Sequence, residues 1–177
     1  MVAAAVMNRT NKRSARRLSA RARPTAADAE LILRLYELRR EAEMRQARHF
    51  ISASFWPETA EDTLRIARAY PSRENTWLRQ VTSYWEMAAS LVVRGALHEG
   101  LFFDSSGEMY CVFAKFKPCI AGIREKLPYF LLNVEHVIMS TEEGRARIQR
   151  LEARLARRQQ KVAQRRSALA ATSAGYS

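Results

Sequence analysis

Trp77-Leu-Arg-Gln-Val-Thr-Ser-Tyr-Trp-Glu-Met-Ala-Ala-Ser-Leu-Val-Val-Arg94 decides the fold class. Its apolar residues Trp77, Val81, Tyr84/Trp85, Ala88 and Leu91/Val92 recur every three or four positions. Arg79, Ser83, Glu86, Ser90 and Arg94 take the opposite side. With 3.6 residues per turn, that spacing returns apolar side chains to one helix face, whereas a strand alternates in steps of two. Gly95 and Gly100 then loosen the chain and mark its end.

Working outward toward the N-terminus, Thr25-Ala-Ala-Asp28 reads as a helix start. A threonine hydroxyl accepts a free amide, and an early carboxylate suits the helix dipole. Leu31, Leu35, Leu38 and Ala42 then predict one helix face running to about Phe50. Pro57 interrupts it, and Thr59-Ala-Glu-Asp62 offers a second start for a helix closed by Pro71. Toward the C-terminus, residues 101–117 admit two readings. Asp104-Ser-Ser-Gly107 makes a hairpin turn, while Ser105-x-x-Glu108 makes a capping box before an apolar run. The helical spacing of Met109, Val112, Phe113 and Phe116 favours the second. Pro118 kinks the chain or starts a helix, and Pro128 opens another segment, Tyr129–Met139. Ser140 or Thr141 before Glu142-Glu143 starts a last long helix, predicted to reach about Ala171. Within it Ile148, Leu151, Leu155, Val162 and Leu169 keep a seven-residue register, while Arg158 and Arg165 occupy seam positions where a coiled coil favours leucine.

Charge is segregated along the 177 residues. The formal net charge is +12, but residues 1–27 carry seven cations and no acid, and residues 144–177 carry nine cations and only Glu152. Residues 28–143 hold 17 acids against 14 bases. The expected organisation is therefore a disordered basic tail over 1–27, a helical core domain over 28–143, and a basic amphipathic helix with a short tail over 144–177. No apolar run approaches the ~18 residues that span a bilayer, so the chain is not expected to be transmembrane. Val2–Met7 is short and precedes its basic cluster, which is the wrong order for a secretory signal. The acid-free leader reads as a basic tail, a transit peptide or a start placed too far upstream. Cys111 and Cys119 make no disulfide framework, which suits a reducing cytoplasm.

Signatures of chemistry are sparse. His49, His98 and His136 have no second His or Cys at metal-ligand spacing. There is no Gly-x-Ser-x-Gly elbow and no glycine-rich phosphate loop, and no cofactor is implied. Trp56, Trp77, Trp85, Phe102, Phe103, Tyr110, Phe113 and Phe116 read as core anchors. A pocket near Glu86, His98 and Tyr110 is the enzyme or small-ligand alternative, with Glu86 and His98 as an acid/base pair should the fold join them. The basic C-terminal helix is the other candidate. Arg147, Arg150, Arg154, Arg157, Arg158, Lys161 and Arg165 form one stripe that attracts phosphates through counterion release. Anionic lipid is a further alternative, giving peripheral membrane attachment, although residues 144–172 contain no aromatic residue to embed.

Tyr84-Trp-Glu-Met-Ala-Ala-Ser-Leu-Val-Val93 and Gly95-Ala-Leu-His-Glu-Gly-Leu-Phe-Phe103 carry a resemblance. With Gly107-Glu108, Val112-Phe-Ala-Lys115 and the early helix Leu33-Arg-Leu-Tyr-Glu-Leu-Arg-Arg-Glu41, the chain resembles a bacterial domain-of-unknown-function family of small soluble helical proteins. The likeness runs over roughly residues 29–150 and implies an all-α fold; it implies no activity, substrate or catalytic residue.

The expected architecture is an all-α, irregular helical bundle of five to seven helices with a long basic C-terminal helix. The expected function is a non-enzymatic interaction module. Its basic helix meets a protein partner, a second copy of the chain, or non-specifically a nucleic acid or other anionic surface.

Overall fold

Two helix starts carry the caps that their sequences advertise. In the computed structural model, which describes residues 23–157, helix α1 (Ala26–Arg40) opens on Thr25, whose hydroxyl accepts from the Asp28 amide at 3.2 Å. Asp28 returns the bond by accepting the Thr25 amide at 2.8 Å. Helix α3 (Ala60–Arg68) repeats the arrangement with Thr59 and Asp62. Each box satisfies amides that the first turn of a helix leaves without partners.

The helix expected to run to Phe50 is instead broken at Glu41. That residue adopts ψ 143° and its carboxylate accepts the Met44 amide at 2.8 Å, capping a new helix, α2 (Ala42–His49). The backbone amides of this first turn, Met44 foremost, hold the Glu41 carboxyl below the usual range. Arg48 closes the gap by donating to the Arg39 carbonyl at 3.2 Å. A π-helical turn follows at Phe50–Ser54. The buried stripe of α1 shifts accordingly. Leu38, expected inside, is 54% exposed, while Asp28 and Leu35 are buried and Arg39 turns inward.

Helix α4 (Arg73–Val93) is the central element and follows the predicted period, with Val81, Trp85, Ala88 and Val92 at most 3% exposed. It packs against α2, α3 and the later α8 (Leu132–Ser140). Gly95, at φ +70°, takes the left-handed turn that ends it, a conformation that a side chain disfavours. Residues 101–117 are helical rather than a hairpin, in two pieces: α5 (Glu99–Ser105) and α6 (Gly107–Phe116). The expected Ser105–Glu108 capping box does not form. Ser105 bonds back to the Leu101 and Phe102 carbonyls, and Glu108 is drawn away by two arginines. A 3-10 turn at Lys117–Cys119 accommodates Pro118, and the short α7 (Ile120–Arg124) follows.

Helix α8 starts at Leu132, later than Pro128 suggested, because Leu131 sits at φ 50° and the first amides of the helix find their acceptor on α4. Residues 142–157 form a further helix, α9. Its Thr141 hydroxyl accepts the Gly144 amide at 3.0 Å. A Cβ on Gly144 would lie 2.1 Å from the Ile138 carbonyl oxygen, so α9 crosses α8 closely only because that position is glycine. Ile148 of α9 is completely buried in the same core as Trp85, Phe102, Phe113 and Phe116.

Eight α-helices lie wholly within the described residues, rather than the expected five to seven. The breaks at Glu41 and Ser106 and the short α7 account for the difference. No described residue is in a strand. Residues 1–22 lie outside the described part, as do Arg158, Lys161 and Arg165.

Candidate functional site

The clearest assembly of charge lies where α1, α2 and α6 meet. Glu108 receives Arg39 at 2.6 Å and Arg48 at 2.7 Å, with the Arg48 Nε bonded to both of its oxygens. Their side chains are 14–30% exposed. In so dry a setting a cation needs its carboxylate, and the Glu108 bond raises the Arg48 pKa. The Arg39 guanidinium also lies 5.1 Å from the centre of the Trp85 ring, an attractive placement over an aromatic face. Behind it, the Tyr84 hydroxyl donates to the Leu35 carbonyl at 2.8 Å, and burial pushes its pKa up to about 12.

The Glu108–Arg48 pair forms part of one wall of a cleft of about 410 Å³. Lys115, buried on α6, forms another part. Its ammonium donates to the Ile51 carbonyl and, at 2.9 Å, to the Phe55 carbonyl, closing the free end of the π-turn. The same ammonium sits 3.8 Å from the Trp56 ring centre. Val112 and Cys111 continue along α6, and the facing wall is Leu151, Arg154 and Leu155 of α9. Cys111 is exposed at the cleft, yet desolvation of its sulfur holds the thiol pKa above the usual value, which makes it a poor nucleophile at neutral pH.

The basic stripe starts on α9. Arg147 lies 4.3 Å from the Tyr110 ring centre, half-buried. Arg150, Arg154 and Arg157 are exposed. Among the described residues none of these four arginines lies within 4.0 Å of a carboxylate. Glu152 is instead bound to Lys117 at 2.8 Å, which pins α9 to the 3-10 turn.

A family model described as a domain of unknown function, DUF4760, matches residues 24–141. The chain belongs to this family. No curated protein and no solved structure gives a significant match. The match to the DUF4760 domain ends at residue 141, and α9 with its arginines follows it.

Within the DUF4760 domain, Glu86, His98 and Tyr110 each have a structural partner of their own, and none of them lines the cleft. Glu86 accepts the Asn133 amide at 2.8 Å, the Asn133 side chain at 2.7 Å and the Val134 amide at 3.2 Å, so it caps α8. His98 caps α5: its Nδ1 accepts the Leu101 amide, and its own amide donates to buried Asp28 at 2.8 Å. Tyr110 is buried beneath Arg147. The cleft residues Arg48, Trp56, Glu108 and Lys115 come from distant parts of the chain, and no local spacing links them. The only sequence signal was an acid and a lysine, Glu108 and Lys115, on the otherwise apolar face of α6. Among the described residues no helix is long and apolar enough to cross a membrane, and no group of three His, Cys, Asp or Glu side chains is placed to hold a metal.

Proposed function

We propose that the chain is a binding module that engages a polyanionic partner through the basic edge of α9, rather than an enzyme. The observation that carries this reading is a cluster of cations without acids. Arg147, Arg150, Arg154 and Arg157 follow one another on a single helix with no carboxylate within 4.0 Å among the described residues, whereas the less exposed Arg39, Arg48 and Arg124 of the body are matched by Glu108 and Glu135 and exposed body cations such as Arg45, Arg79 and Arg94 are scattered. Unneutralised cations at helical spacing gain from meeting phosphate or carboxylate groups, whose counterions are released on contact. The stripe continues in sequence through Arg158, Lys161 and Arg165. Glu86 is no candidate base in this reading, since three N–H donors already occupy its carboxylate.

Removing residues 144–177 would not test this cleanly, because it also takes Ile148 out of the core. The test is the full chain against a variant with Arg147, Arg150, Arg154 and Arg157 replaced by Gln. Binding of a short duplex DNA, used as a generic polyanion, should fall by at least tenfold at low salt, on the order of 1 kcal/mol or more in total from four lost phosphate contacts. Equal binding by both proteins removes the reading.

A further inference from the structure

We infer that the cleft between α6 and α9 is a binding site for a small organic carboxylate with an aliphatic body, of the size of a medium-chain acyl anion. The inference shares Arg154 with the polyanion reading but otherwise uses the interior of the cleft, and its probe is a fatty carboxylate rather than DNA, so the two can fail separately.

The lining sets the chemistry. Ile51, Val112, Leu151 and Leu155 make a mostly aliphatic surface, and the cleft volume of about 410 Å³ falls within the range of small-molecule sites. Among the described residues Trp56 is the one aromatic ring in the lining, and the Lys115 ammonium already stands over it, which disfavours a stacked aromatic ligand. Among the described residues the charged groups of the lining are Arg48, Lys115 and Arg154 against one acid, Glu108, and the Lys115 ammonium is already bound to the Ile51 and Phe55 carbonyls. Arg48 already shares Glu108 with Arg39, whereas Arg154 has no carboxylate among the described residues. One uncommitted guanidinium beside one carboxylate favours a single negative charge over a multiply charged head group, which Glu108 would repel. The two walls belong to different helices, and Glu152–Lys117 together with buried Ile148 holds α9 in place, so the cleft is formed before a ligand arrives.

Cys111 provides the readout, because it lines the cleft and is exposed, while Cys119 lies outside it and is half-buried. The probe is decanoate, kept below its micellar concentration, with decanol as the uncharged counterpart. Alkylation of each cysteine by N-ethylmaleimide is followed on the full chain by peptide mass spectrometry. With decanoate at about ten times its Kd, alkylation of Cys111 should slow roughly tenfold, because only unoccupied protein reacts, and Cys119 should be unaffected. Arg154→Ala should weaken decanoate roughly tenfold by removing a charge-assisted bond. Arg79→Ala, which removes an exposed cation from α4 outside the cleft, should leave decanoate binding unchanged. Decanol should protect less than decanoate. An unchanged Cys111 rate, equal slowing of both cysteines, equal protection by decanol, or equal effects of the two arginine variants would each overturn the inference.

Discussion

Arg48 and Arg154 both line one cleft, and the fold treats them in opposite ways. Arg48 is embedded in the body, shares Glu108 with Arg39, and gives a further bond to the Arg39 carbonyl. Arg154 stands on the exposed side of α9 with no acid within 4.0 Å among the described residues. The difference is one of solvent. Where water is excluded a guanidinium is tolerable only with a carboxylate, so the body supplies acids in place. Where water remains, the cation needs no partner and stays free for one from outside. Burial together with pairing, rather than the number of arginines, therefore separates structural from available charge at this cleft.

The largest effect should come from the joint between the two regions. Ile148→Ala removes a completely buried side chain that fastens α9 to the core, and should cost about 3 kcal/mol in urea unfolding. A cost near zero would mean that α9 does not pack as described, and the contrast between its two faces would fail. Next is Glu108→Gln. It strands two largely desolvated arginines, and after discounting for their 14–30% exposure the loss should be about 2 kcal/mol. The same experiment on Arg150→Gln should give a change within about 0.5 kcal/mol, since an exposed cation without an acid contributes little to folding. If the two variants were equally stable, the body would not depend on its ion cluster.

A subtler mark of burial is in the pH dependence. The Tyr84 pKa is raised from 10.0 to about 12, because burial disfavours the phenolate. The unfolded chain loses this proton first, so Tyr84 contributes its stability below pH 10 and that contribution drains away between about pH 10 and 12. Tyr84→Phe should flatten the decline of stability over that window. An unchanged slope in the variant would assign the decline to other groups.

The sequence made the local physics of this fold visible. The Thr25 and Thr59 caps, the long helix around Trp85 and the helical reading of residues 101–117 all follow from spacing within a turn or two. The ion cluster was not visible, because Glu108 lies 69 residues from Arg39 and 60 from Arg48. On the sequence alone, Glu108 read best as the far end of a capping box. The role of Lys115 was hidden for a related reason: the carbonyls that its ammonium binds, at the end of the π-turn, lie 64 and 60 residues away in the chain. Glu86 and His98 looked reactive because carboxylates and imidazoles do, and both serve as helix caps.

The central claim is that the cations of α9 are available to an outside partner. Its most direct test is the salt dependence of duplex DNA binding by the full chain and by the variant carrying Gln at Arg147, Arg150, Arg154 and Arg157. If each of the four neutralises a phosphate, the slope of log K against log salt should be shallower by about 3–4 in the variant. Parallel slopes for the two proteins would contradict the account.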